Sequence, residues 1–154
     1  NPASAMHAFC HALPGAWHQM SVMLSAASAL RWVRELLGLA SEEALLERVA
    51  LLTQAQRAAA PIFLPYLGGE RTPHNDPHAQ GVLFGLGAGH DAASVGYAVI
   101  EGVGFGLRDG WSTMGVTPGK VTQLSLVGGG ARTRDSRAIP GAHSPLAPAR
   151  PGPP

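Results

Sequence analysis

One cysteine, Cys10, stands alone among 154 residues, so an intrachain disulfide and a thiolate metal cluster are both excluded. That scarcity fits a reducing compartment, and a cytoplasmic setting is expected. Charge is sparse too: Asp, Glu, Lys and Arg make up 14% of the chain, the formal net charge is +1, and the seven His are not clustered with Lys and Arg. A surface built for nucleic acid or for an anionic membrane is therefore not expected. No stretch reaches the ~20 apolar residues of a membrane span, and residues 1–8 lack a basic segment followed by an apolar run. A membrane segment and a secretory leader are not expected either. No internal repeat points to a solenoid, and no Ser sits in a Gly-x-Ser-x-Gly setting, which leaves a hydrolase little support. The chain opens without Met, on polar and small residues, as a chain beginning inside a longer protein would.

What is present suits one folded unit: the apolar fraction is 45%, enough to pack a core at this length. Residues 7–23 mix aromatic, β-branched and His residues around Leu13-Pro14-Gly15-Ala16, which predicts two short strands joined by a turn. From Ser25 onward Ala26, Leu30, Val33 and Leu37 recur at helical spacing, and Gly38 can end that helix. Ser41 precedes Glu42 and Glu43 as an N-cap followed by acids that complement the helix dipole. A second helix is expected from there to about Ala59. The apolar run from Pro61 to Leu67 reads as a strand, residues 68–80 as a polar loop, and Val82-Leu83-Phe84 as another strand.

Between His90 and Asp109, Val95, Val99, Val103 and Leu107 step by four, the mark of a helix. Gly96, Gly102, Gly104 and Gly106 each cost about 1 kcal/mol relative to Ala there, so packing must hold the helix. Small residues on one side would let another backbone come close. Residues 121–127 alternate Leu124 and Leu126 with Gln123 and Ser125, a strand that runs into Gly128-Gly129-Gly130. Past Arg132 the pattern ends in clustered Arg and then a Pro-rich tail, which should be extended or disordered.

Several constellations compete for a functional reading. Phosphate groups need converging backbone N–H donors, and Gly128 to Ala131 after a strand can supply them. A triple glycine alone is weak evidence, and by itself it reads first as a flexible turn. Gly85-Leu86-Gly87-Ala88-Gly89 imitates a dinucleotide fingerprint, but the third Gly should fall where this chain has His90. A tight strand-to-helix turn is the better reading. His7 and His11 lie about 13 Å apart along a strand, too far to share an ion, and His74 and His78 fall in a loop with Pro73 and Pro77. Structural or surface histidines are expected throughout. Cys10, between Phe9 and His11, reads as a small core residue rather than a nucleophile. Glu70, Arg71 and Asp76 sit in a loop braced by Pro and Gly, which reads either as a rigid functional loop or as a solvated connection.

Three stretches carry a resemblance: HAFCHALPGAWHQMSVMLSAASALRW, then FLPYLGGERTPHNDP, then GVLFGLGAGHDAASVGYAVIEGVGFGLRDG, followed in order by LSLVGGGAR. Together they resemble the C-terminal part of FGGY-family carbohydrate kinases, with Glu-Arg-Thr-Pro-His the mark of the xylulokinases within that family. The likeness runs from about His7 to Arg132. It implies an α/β fold, part of a ribonuclease-H-like, actin-like ATPase domain with a mixed sheet and flanking helices, over residues 1–132, and a divergent Pro-rich tail over 133–154. It also implies transfer of the ATP γ-phosphoryl, with Mg2+, to D-xylulose, the sugar site and catalytic base lying in an N-terminal kinase domain that this chain lacks. In that resemblance Gly128, Gly129, Gly130 and Ala131 line the nucleotide site, and Ala27 and Arg31 on the first helix come near it. No catalytic residue is assigned here.

The sequence departs from the family twice. Gly104 and Gly106 stand where relatives usually have Ala, and after Arg132 the expected amphipathic helix is replaced by Thr133-Arg134-Asp135-Ser136-Arg137 and the Pro-rich tail. A shifted reading frame or an early stop would produce that change. Kinases acting on ribulose, gluconate or glycerol, and a non-catalytic nucleotide-binding remnant, remain open alternatives.

Overall fold

A computed structural model describes residues 4–115 together with Val121 and Ser125. The order of elements is β1 (His7–Cys10), β2 (Trp17–Met20), α1 (Ala27–Leu36), α2 (Glu42–Ala50), α3 (Gln54–Ala58), β3 (Ile62–Leu64), β4 (Val82–Phe84) and α4 (Ala92–Thr113). The expected first hairpin forms: β1 pairs antiparallel with β2 from His7 opposite Met20 to Cys10 opposite Trp17. Gly15 turns the chain with φ +73°, a conformation that glycine adopts without steric cost. α1 ends as expected, with Gly38 at φ +65° just beyond its last turn.

The second helix differs from its expected extent. Ser41 caps α2 by accepting from the Ala44 N–H, but the helix stops at Ala50 and a separate helix, α3, begins after Thr53. The Thr53 hydroxyl accepts from the Gln56 N–H while the Gln56 side chain accepts from the Thr53 N–H. That reciprocal pair restarts the helix in a new direction. Arg57 reaches back from α3 to donate to the Leu52 and Val49 carbonyls just past the end of α2.

β3 and β4 form a second antiparallel sheet, Ile62 opposite Phe84 and Leu64 opposite Val82. Among the described residues the strands thus make two separate two-stranded sheets. The strand expected over residues 121–127, the glycine corner at Gly128 to Ala131 and the tail over 133–154 lie outside the described residues, save for Val121 and Ser125.

α4 is the element around which the core gathers. Its Ala93, Tyr97, Ala98 and Val99 are buried with Ala29 and Val33 of α1, Leu45 and Val49 of α2, Leu52, and Phe63 of β3. Asp91 caps it, its carboxylate accepting from both the N–H and the hydroxyl of Ser94. Those bonds hold the Asp91 carboxyl below its ordinary range. The close approach expected from the helix glycines occurs at Gly102, where a Cβ would collide with the Phe63 carbonyl oxygen. Gly96, one and a half turns earlier, faces the Leu45 side chain at 2.6 Å from where its Cβ would stand.

Candidate functional site

The loop over residues 68–80 reads two ways in the sequence, and its geometry separates them residue by residue. Gly69 has φ +77°, and a Cβ there would stand 2.8 Å from the Pro77 carbonyl oxygen, so the loop closes on itself tightly. Glu70 and Asp76 then exchange backbone bonds of 2.8 and 2.9 Å across the loop. Inside this closed turn Glu70 is 3% exposed and Thr72 is 2% exposed, while Arg71 and Asp76 face solvent. It is not a solvated connection.

A buried carboxylate needs donors, since leaving it unpaired costs several kcal/mol. Glu70 finds them in backbone: its Oε1 accepts from the Leu24 N–H at 3.1 Å and from the Arg71 N–H at 2.7 Å. Thr72 is equally occupied. Its hydroxyl accepts from the Val22 N–H at 3.1 Å and donates to the Ala5 carbonyl at 3.0 Å, and its own N–H donates to the Val22 carbonyl at 3.0 Å. The two side chains therefore hold the segment between β2 and α1 from the far side of the sequence. Beside them the Tyr66 hydroxyl meets the His74 Nε2 at 3.0 Å. Burial raises the Tyr66 phenol above its ordinary range, and the negative charges of Asp109 and Glu70 add to that.

Ala27 and Arg31, the two positions on α1 that the resemblance brings near a nucleotide, both lie on its solvent-exposed side, one turn apart. The ion pairs at this end of the molecule join Arg34 to Glu35 at 2.7 Å and to Glu42 at 3.6 Å. Among the described residues Arg31 takes part in neither. Gly128, Gly129, Gly130 and Ala131 lie outside the described residues.

Other sequence features resolve into structure. His90 accepts from the Gly87 N–H on Nδ1 at 3.0 Å and donates from Nε2 to the Ala59 carbonyl at 2.9 Å, which fixes its tautomer. The glycine-rich turn after β4 is thereby closed by a side chain and tied to the end of α3. The remaining histidines of the first hairpin stack: His7 on Phe9 at 5.7 Å, Phe9 on His18 at 5.6 Å, with His11 edge-on to His18 at 6.1 Å. Among the described residues no three His, Cys, Asp or Glu side chains converge, so a magnesium ion held by protein carboxylates would need residues from elsewhere. Cys10 corrects its expected place in the core, for it is exposed on the hairpin.

A shallow cavity of about 280 Å3 lies at the start of α4, lined by Arg48, Leu51, Leu52, Gln56, Asp91, Ala92 and Ala93. Neither Ala27 nor Arg31 lines it, and its Asp91 carboxylate is spent on capping. Nearby, burial pushes the Tyr97 phenol up to about 12, helped by its 2.9 Å bond to Glu101. With Arg57 5.5 Å over its ring, Tyr97 is a packing residue that fastens α3 to α4.

The sequence profile of the FGGY family of carbohydrate kinases, C-terminal domain, matches residues 1–136. The chain is 52% identical over 133 residues to a xylulose kinase of Escherichia coli (strain K12), covering 86% of this chain and 27% of that protein. Solved structures agree in fold. A xyloylose kinase from Brucella ovis superposes with a TM-score of 0.75 at 44% identity, over 86% of this chain and 27% of that one. A gluconate kinase from Lactobacillus acidophilus gives 0.71 at 28% identity, over 86% of this chain and 27% of that one. This chain thus spans about a quarter of the length of the relatives it matches. No helix among the described residues is long and apolar enough to cross a membrane. With the hairpin, the Glu70–Thr72 loop and α4 all inside the matched residues, the chain belongs to the FGGY family of carbohydrate kinases, in the part that forms their C-terminal domain.

Proposed function

We propose that this chain is the nucleotide-binding part of an ATP-dependent sugar kinase that transfers the γ-phosphoryl of ATP to D-xylulose, giving D-xylulose 5-phosphate in the cytoplasm. The observation that carries the reading is the 52% identity to a xylulose kinase over 133 residues, which spans the Glu-Arg-Thr-Pro-His loop. The domain would occupy residues 1–132, of the partial ribonuclease-H-like, actin-like type, with 133–154 outside it. Gly128, Gly129, Gly130 and Ala131 would offer backbone N–H groups to the nucleotide, where donors converge without side chains in the way. Arg31, exposed one turn from Ala27, would add a positive charge on the same side.

Phosphoryl transfer depends on positioning and charge neutralisation, and bound Mg2+ would supply the latter at the ATP phosphates. The sugar pocket and the catalytic base would come from an N-terminal kinase domain, so this chain alone would not phosphorylate a sugar. Gluconate is the second reading for the sugar, favoured by the gluconate kinase among the solved structures of like fold. Ribulose and glycerol are further candidates, since the choice rests with residues outside this chain. A non-catalytic remnant is the competing outcome.

Calorimetric titration of the chain with ATP and magnesium tests the nucleotide reading. Saturable binding is expected, and its absence together with ready aggregation would identify a remnant. For the sugar, the parent kinase assayed on D-xylulose, ribulose, gluconate and glycerol should show its highest kcat/KM on D-xylulose. A preference for gluconate would replace that assignment.

A further inference from the structure

Among the described residues, three of the four helices begin with a side-chain cap: Ser41 for α2, Thr53 for α3 and Asp91 for α4. α1 does not. Its N-cap is Ala26, which makes no side-chain hydrogen bond, and Ala is among the poorest residues at that position. Something other than local sequence must determine where α1 starts and how it is aimed.

The chain entering α1 is gripped from two sides. On one, Ser21 and Met23 lie against Gly110 and Gly106 of α4, where a Cβ would stand 2.5 Å from the Ser21 hydroxyl oxygen and 2.8 Å from the Met23 methyl carbon. On the other, the backbone of the alternate residues, Val22 and Leu24, is bound by Thr72 and Glu70. Both of those side chains are almost wholly buried, and every polar atom named above in their contacts is satisfied within the protein. Two buried polar groups spent on one short backbone segment fix its geometry closely, because moving it would orphan a carboxylate or a hydroxyl.

We propose that Glu70 and Thr72 are positioning residues that set the start and direction of α1 and thereby the placement of Ala27 and Arg31 toward the nucleotide. The inference rests on the nucleotide reading given above. Neither residue touches ATP. Each acts through the backbone of Val22 and Leu24.

The test uses the whole chain and three variants, titrated with ATP and magnesium well below the melting temperature of each, so that loss of folded protein does not enter. T72V removes the hydroxyl, and with it the bonds to Val22 and Ala5, while keeping the shape, and is expected to weaken ATP binding about tenfold. T72S keeps the hydroxyl and should bind within about twofold of the parent chain. Amide hydrogen exchange should quicken in T72V at Val22, Leu24, Ala29 and Leu30 while the core amide of Val99 stays as slow as before. Should T72V fail to fold, E70Q, which keeps the side chain's size and an acceptor oxygen, carries the same comparison of affinity and exchange. If the parent chain binds ATP and the variants bind it equally well, the positioning role is overturned while the nucleotide reading stands. If the parent chain does not bind ATP, the nucleotide reading falls, and this role with it.

Discussion

The two antiparallel strand pairs among the described residues have the same topology and opposite surroundings. β3 and β4 lay one face on α4, burying Phe63 to 3% exposure against the helix, with Trp32 of α1 stacked on its ring at 5.7 Å. β1 and β2 bury none of their eight side chains, and Trp17, on β2, is 68% exposed. The contrast comes from α4 rather than from the strands. At Gly102 the helix has no Cβ, so the β3 backbone can settle against it, and Phe63 reaches the core. Even β3 and β4 keep an apolar outer face, with Ile62, Leu64, Val82 and Phe84 all exposed.

The largest effect should come from Phe63→Ala, which empties a site in the core and is expected to cost about 3–5 kcal/mol in a urea unfolding experiment. A cost under about 1 kcal/mol would mean that β3 is not seated on the helix as described. Gly102→Ala sharpens the comparison, because helix propensity favours Ala by about 1 kcal/mol while the added methyl meets a backbone carbonyl that cannot swing aside. A net loss of about 2 kcal/mol is expected by thermal or urea melting. Gly106→Ala, facing the mobile end of Met23, is the control and should change stability by no more than about 1 kcal/mol in either direction. Equal losses at the two glycines would remove the role given to the Phe63 backbone. The smallest effect belongs to the open hairpin: Trp17→Ser should shift stability by less than about 0.5 kcal/mol. A loss of 2 kcal/mol there would show that the first hairpin is covered in solution.

Much of this architecture was legible in the residues themselves. The turn at Leu13 to Ala16, Gly38 beyond α1, the Ser41 cap and the four-residue valine steps of α4 all report interactions within a few positions of one another. The break between α2 and α3 was legible also, since Thr53 and Gln56 stand at capping-box spacing, but an apolar stripe running through Leu52 concealed it. The family was legible from the motif order. Cys10 was misplaced because β1 alternates no polar and apolar faces that could say which side would be covered.

The site divides in the same way. Glu70 and Arg71 are adjacent and equally polar, yet one is buried and the other exposed. Nothing local separates them, because the partners of the loop lie far off in sequence: Leu24 is 46 residues from Glu70, and Val22 and Ala5 are 50 and 67 residues from Thr72. Composition, motif order and helix ends were determined by the sequence alone, since caps, turns and periodicity act over three or four residues. Which polar side chains went inside, and which hairpin found a helix to lie on, was decided only when distant segments met. A buried hydrogen bond depends on its partner's position in space, and separation along the chain does not disclose it.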